Sequence, residues 1–449
     1  MLVEVGGARG AVVYSTSTDG RLEATSSAAP PRTTQRLRHV LAEIFLPAGY
    51  PQSVRPEYLR FQAYDTLQAA CSYLRSILTT SAILRGVGVG ESAASPMAAA
   101  AAWVLRDGFG MFGSLLFSYS VGTGFDQNVK EWRLFADLIN DVGLTLDMLA
   151  PLSTGPSTFA TLAALGTACK TICGMVAGAT RASISAHLAL GDNLADLSAK
   201  EGAQEAAVTL VGLVLGSTLA GYVGDSLVNG WIVFVLLTAV HVWSNWRGVG
   251  CLAFRWLNLQ RGMLVTAAWV ERHEIPPPNR LAAHERLWRP LTLCMRGPRL
   301  GVSAASVVSS AEDLLTLQAI FKEERYMLRE VGGRAHVMLR VDATGADALK
   351  AILHCTLLRA ILQGAAQGAA EGAAKGSTSR VSAAVTRAQR GGAISRAERA
   401  SLAASLDAVG VEWAPFAAAV EREWDGRALL RGCEGGVRYR EGAQHGKDE

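Results

Sequence analysis

The chain has 449 residues, half of them hydrophobic, with 18% charged and a net charge of +4. So small a positive excess argues against nucleic acid as a partner, and a polar minority beside 46 glycines suits close helix packing in a membrane. Seven cysteines, none in a Cys-x-x-Cys pair and several within apolar stretches, read as reduced packing residues and not as a secreted disulfide frame.

Residues 1–39 are rich in Ser, Thr, Ala and Gly and read as a disordered tail; Glu4, Asp19 and Glu23 speak against a transit sequence. Phe45-Leu-Pro-Ala-Gly-Tyr-Pro51 is a turn-rich lead-in, and Pro56-Glu57 opens a helix. In that helix Phe61, Tyr64, Leu67, Cys71, Leu74 and Leu78 form an apolar stripe, with Asp65, Gln68, Ser72 and Arg75 on another face. Ser95-Pro96 then caps an apolar stretch, Met97 to Tyr119, long enough to span a bilayer and interrupted only by Arg106-Asp107. Its Gly108-Phe-Gly110-Met-Phe-Gly113 matches the dinucleotide pattern G-x-G-x-x-G, but an Ala-rich helix precedes it where that fingerprint needs a strand. Close helix contact is the better reading for these glycines, as for Gly174/Gly178 and Gly212/Gly216.

Phe125 to Leu149 is periodic, with Trp132, Phe135, Ile139, Val142 and Leu146 on one face and Arg133, Asp137 and Asp141 on the other. Pro151 and Pro156 mark a break, and Ser157 to Thr180 is a further candidate span holding one charge, Lys170. Cys169 and Cys173 share a helix face, yet no His or third Cys completes a metal set nearby. A polar cassette from Lys170 to Glu205 leads into two uncharged runs, Ala206 to Gly224 and Ser226 to Trp246, separated by Asp225. At roughly 1.5 Å per residue each can cross a hydrocarbon core of about 30 Å. Ser198-Ala-Lys-Glu201 has capping-box spacing for the first of these helices. Arg247, Arg255 and Arg261 beyond the second place both hairpin ends on the positive side of the membrane.

Several segments together carry a family resemblance. Phe45-Leu-Pro-Ala-Gly-Tyr-Pro-Gln-Ser-Val54, Trp103-Val-Leu-Arg-Asp-Gly108, Lys130-Glu-Trp-Arg-Leu-Phe-Ala-Asp137, Gly178-Ala-Thr-Arg181 and Asn193-Leu-Ala-Asp-Leu-Ser-Ala-Lys200 resemble the successive motifs of the root UVB sensitive (RUS) family. The resemblance covers about residues 40 to 262 and, more weakly, the C-terminal part. It implies a eukaryotic integral membrane protein without an assigned enzymatic activity, tied in plants to UV-B responses, vitamin B6 homeostasis and auxin transport. It brings no catalytic residues, and a plastid or an endomembrane compartment is the implied location.

After Gly262 the character changes. Residues 263–300, with Ile275-Pro-Pro-Pro278, read as a Pro-rich linker. Glu324 to Glu330 and His336 to Val341 are strand candidates, Ala346 to Leu362 a helix, and 364–404 a low-complexity insertion before a last helical part. The expected fold is mainly α: a polytopic membrane helical bundle over 40–262, then a small α+β C-terminal domain over 301–449.

A charge at the centre of a membrane helix costs about 2.5 to 3.5 kcal/mol, so such groups pair or line a polar cavity. Arg106, Asp107, Asp137, Asp141, Lys170, Arg181, Asp196 and Lys200 form the candidate polar membrane site. In one reading Arg106, Lys170 and Arg181 neutralise Asp107, Asp137 and Asp141; in the other, Lys170, Arg181 and Lys200 contact an anionic or zwitterionic metabolite. The function classes are a transporter-like or scaffold protein and, as an alternative, a membrane adaptor recruiting a protein partner or family paralogue through its C-terminal domain. An enzyme using Lys170 as a Schiff-base lysine is the minor third reading. The lipid bilayer is the expected partner; no catalytic residue, metal or resident cofactor is expected, and a pyridoxal-type compound is the ligand that fits the resemblance.

Overall fold

The computed structural model describes residues 2–4, 12–16, 22–26, 33–86, 96–121, 124–224, 226–287, 297–374, 393–424 and 438–439. The chain is mainly α-helical and divides into two compact units. The first comprises residues 1–102, 144–166 and 181–248; the second comprises 103–143, 167–180 and 249–449.

In the first unit the expected disordered tail contains a three-stranded antiparallel sheet, β1 (Leu2–Glu4), β2 (Val12–Thr16) and β3 (Leu22–Ser26), followed by α1 (Thr33–Phe45). α2 (Tyr58–Gly86) packs along α6 (Leu194–Val223). Gly212 and Gly216 make that contact: a Cβ on either would collide with Tyr73 or Ile77 of α2. The Gly-x-x-x-Gly spacing therefore works here as expected, because removing the side chain lets two backbones approach. Gly174 and Gly178 differ, since a Cβ on either would meet open space.

α5 (Pro156–Leu188) begins with Pro at its first turn, where a missing N–H costs nothing. It ends at a sharp corner in which Gly191 and Asp192 take positive φ. α6 starts at Leu194 behind Asn193, earlier than the Ser198–Glu201 spacing predicted. The reason is tertiary: Asn193 Nδ2 donates to the Ser53 carbonyl at 2.8 Å and fixes the chain there. α7 (Leu227–Cys251) completes the hairpin; the expected turn residue, Asp225, lies outside the described residues. Leu78, Ala82, Leu144, Met148, Val223 and Phe234 form the apolar core of this unit.

Among the described residues, three helices are long and apolar enough to cross a membrane: α5, α6 and α7. α3 (Pro96–Val121) covers the remaining expected span as one helix but is not among those three.

The second unit includes part of α3 and the first part of α4 (Val129–Leu149). There Gly110 faces Thr167 and Thr171, and Gly113 faces Ala168, so two of the three glycines in the false dinucleotide pattern serve helix contact. The remainder begins with α8 (Leu259–Arg272) and α9 (Pro278–Ala282), which occupy much of the expected linker. Val265, Trp269 and Leu281 lie in the same core as the C-terminal elements, so this segment is packed structure and not a spacer. Prolines 276–278 mislead by composition; Pro278 sits in the first turn of α9, where it is tolerated.

The central strand of the small sheet is β6 (Arg334–Arg340). It pairs antiparallel with β5 (Tyr326–Val331), while β4 (Arg299–Leu300) and β7 (Arg438–Tyr439) pair parallel with it. α10 (Ala311–Ile320) is capped by Ser310, whose hydroxyl accepts from the Asp313 N–H. α11 (Gly345–Ala374) and α12 (Arg396–Glu423) complete the core, α11 through Leu349, Ile352 and Leu353, α12 through Leu402, Phe416 and Val420. The expected insertion at 364–404 is partly helical, with 375–392 outside the described residues.

Candidate functional site

The first unit is organised around a polar row on α2. Gln62, Gln68, Arg75 and Thr79 are buried, whereas Leu59, Leu67 and Leu84 of the same helix are exposed. Gln68, Arg75 and Thr79, seven and four residues apart, share one face, which turns toward α7, and Gln62 lies about a third of a turn away, toward α6. Gln62 donates to Gln204 of α6, Gln68 Nε2 lies 3.0 Å from His241 Nε2 of α7, and Arg75 Nη1 donates to Thr238 Oγ1 of α7 at 3.1 Å. From Gln62 to Arg75 the row rises about 20 Å, most of a hydrocarbon thickness.

The row begins at the α5–α6 corner. The loop before α2 lies across that corner as an isolated bridge, Val54 to Ala189, with the Arg55 N–H donating to the Leu188 carbonyl and the Leu190 N–H to that of Ser53. Arg55 Nε donates to the His187 carbonyl at 2.7 Å, and His187 Nε2 meets Glu57 at 2.9 Å. The loop thereby satisfies carbonyls left open where α5 ends.

Arg181 of α5 reaches two carboxylates of α6. Nη1 lies 2.6 Å from Glu205 Oε1 and Nε lies 3.3 Å from Glu201 Oε2. Buried Glu201 also accepts from the Ser185 hydroxyl at 3.1 and 3.2 Å. Lys200 and Gln204 donate to the carbonyls of Glu43 and Phe45, each at 2.6 Å, and so close the C-terminus of α1. Asp196 accepts from the Ala48 N–H at 2.7 Å and lies 4.0 Å from Lys200.

Three of the eight expected site residues, Arg181, Asp196 and Lys200, thus gather in the first unit, engaged with glutamates and backbone. Arg181 is paired with Glu201 and Glu205, not with the aspartates assigned to it by sequence. Asp137, Asp141 and Lys170 belong to the second unit, where the two aspartates are buried and Arg133 Nε lies 3.5 Å from Asp137. Asp107 is exposed on α3, and the Arg106 side chain lies outside the described set. Among the described residues no three His, Cys, Asp or Glu side chains gather as a metal site.

Sequence reasoning missed the polar row itself and a buried cluster in the second unit. There Glu285 is 3.2 Å from Lys130 Nζ and 2.9 Å from Arg261 Nε, all three side chains being almost fully buried. Arg261 also donates to the Trp256 carbonyl at 2.9 Å and lies over the Phe254 ring. Burial holds the Lys130 amine below the ordinary lysine range, with Glu285 opposing and Arg261 adding to the shift. Lys130 heads a motif seen in the sequence, but no spacing tied it to Glu285, 155 positions on.

The loop at 45–54 and the helix start at 193–200, which meet at this corner, both lie in the segment matched by a family model. Residues 31–273 match the vitamin B6 photo-protection and homoeostasis domain, and 275–421 match the root UVB sensitive protein C-terminal domain. The chain belongs to the root UVB sensitive family. It is 35% identical to root UVB sensitive 3 of Arabidopsis thaliana, over 81% of this chain and 84% of that protein. It is 37% identical to RUS family member 1 of Dictyostelium discoideum over 64% of this chain and 54% of that protein. Root UVB sensitive 2, chloroplastic, of Arabidopsis thaliana is 30% identical over 76% of this chain and 78% of its own length. No solved structure matches this RUS-family chain. The two family models meet near residue 274, at the end of α8 and within the segment 263–300 expected to link the two domains.

Proposed function

We propose that this chain is a polytopic integral membrane protein acting, without catalysis of its own, as a scaffold in vitamin B6 homeostasis and the UV-B response. The single observation behind the scaffold reading is the closure of Arg181 on Glu201 and Glu205. A transport site would present such a cation to a substrate, whereas this one is matched within the protein. Membrane insertion is supported by the outward face of α6 and α7, where Leu210, Leu213, Val214, Val235, Leu236 and Trp243 are exposed while Glu201, His241 and Asn245 are buried. A plastid or endomembrane location accords with the printed name of the chloroplastic relative.

Arg181→Ala in the purified full chain in nanodiscs separates the readings. For a scaffold, thermal stability falls and any binding of pyridoxal 5′-phosphate, measured by calorimetry, follows the folded fraction. A variant that stays fully folded while losing that ligand would overturn the scaffold and make the corner a transporter-like site for a small anionic or zwitterionic metabolite.

A further inference from the structure

Between α2 and α6 the first unit holds an apolar cavity of about 410 Å³, within the roughly 300–1,000 Å³ range of small-ligand sites. Ala70 and Leu74 form one wall, and Ala207 and Val211 the other. Phe45 and Gln204 lie at its start, where the Gln204 amide donates to the Phe45 carbonyl. The cavity exists because Ala70 and Ala207 leave space between the two helices; Gly212 also lines it, and its missing side chain leaves room for Tyr73 of α2 beside α6.

We propose that this cavity holds one acyl chain of a bilayer lipid, which rests on the membrane reading above. Three features select this occupant. First, the lining runs along α6 from Gln204 to Leu215, eleven residues or about 16 Å of rise, an elongated shape suited to a hydrocarbon chain. Second, the same stretch of α6 carries Leu210, Leu213 and Val214 on its exposed face, so the cavity lies on a helix whose other side is apolar and uncovered. Third, the lining is polar only at Gln204 and Thr66, so it offers no cation to recognise a phosphorylated metabolite. Lys200 lies one turn before Gln204 on α6, at the end where a lipid headgroup would sit.

The full chain is reconstituted with a phosphatidylcholine carrying a diazirine in its acyl chain, irradiated, and mapped by peptide mass spectrometry. Adducts are expected at Ala70, Leu74, Ala207 and Val211, and Ala207→Trp, which fills the cavity, should reduce them at least tenfold while those at Leu210 and Val214 persist. Groove labelling no stronger than at Leu210, or unchanged by Ala207→Trp, overturns the proposal, as does finding another protein's helix cross-linked there. Ala207→Ser, which keeps the volume, should label as the parent does; a loss equal to that of the tryptophan variant would point to misfolding and count against an acyl-chain site. Alkaline carbonate extraction of the same membranes reports insertion separately, so an extracted protein refutes the membrane reading and an inserted but unlabelled groove refutes only this one.

Discussion

The helices of the first unit and the C-terminal part of the second differ in what they expose around a mixed interior. Along α2, α6 and α7 the interior collects Gln62, Gln68, Arg75, Glu201 and His241 beside the apolar cluster of Leu78, Val223 and Phe234, while Leu210, Leu213, Val214, Val235 and Leu236 lie outside. Around β5, β6, α11 and α12 the order is the usual one: Leu328, Val337, Leu353 and Phe416 are inside, and Lys322, Glu323, Arg399 and Glu312 are exposed. The same hydrophobic effect produces both patterns if the two regions meet different solvents, because leucine exposed to hydrocarbon gives up nothing while an unpaired polar group there does. Buried ions in the C-terminal part consequently come as locked sets. Arg329, for example, meets Glu398 at 2.8 Å and Asp313 at 3.7 Å.

The comparison can be broken or sharpened by substitution. The largest effect is expected from Glu285→Gln, which leaves the buried Lys130 and Arg261 cations beside each other without their carboxylate; loss of one partner from such a set costs about 3 to 5 kcal/mol. Hydrogen exchange of peptides from α8 should show the loss, and unchanged protection would mean that the cluster is not buried as described. Next comes pH. His354 sits between Tyr326 and Ser405, and burial, aided by Lys350, depresses its imidazole to about 3 from the ordinary 6.5. The neutral form is the folded one, so this stabilisation is complete above pH 6.5 and is lost as pH falls toward 3, on the order of 4 kcal/mol at the end. Protection of β5 and α11 should fall across that window, and His354→Gln should flatten the profile. A slope unchanged by the substitution would assign the acid sensitivity elsewhere.

The smallest of these effects is the one that tests the contrast directly. Val214→Lys alters an exposed position on α6. In water such a change stays within about 0.5 kcal/mol, but at the centre of a bilayer it opposes insertion by about 2.5 to 3.5 kcal/mol. An insertion assay with glycosylation tags distinguishes the two, and an indifferent Val214→Lys would place the outer face of α6 in an aqueous setting.

Much of the helical part was legible because length and hydropathy are local properties. The uncharged runs around 206–224 and 226–246 are the second half of α6 and most of α7, and Gly212/Gly216 marked a real contact. The site was legible only in part. Arg181, Asp196 and Lys200 were picked out as charges in an apolar setting, but their partners, Glu201, Glu205 and the backbone of residues 43–48, are set by the corner between α5 and α6. Glu201 had been read as a helix-start residue, because its spacing from Ser198 imitates a capping box. Gln68 and Arg75 looked like the polar side of an ordinary amphipathic helix, since a periodic pattern states which residues share a face but not which face turns inward.

By itself the sequence determined the helical class, the position of the apolar segments, the strands near 326 and 336 and the family motifs, all of which depend on neighbours within a few turns. Only the tertiary structure decided which carboxylates Arg181 meets, that α8 and α9 join the C-terminal core and not a linker, and that a cavity opens beside Gln204. Those outcomes depend on groups 20 to 160 positions apart, and packing brings them together through geometry that no local spacing records.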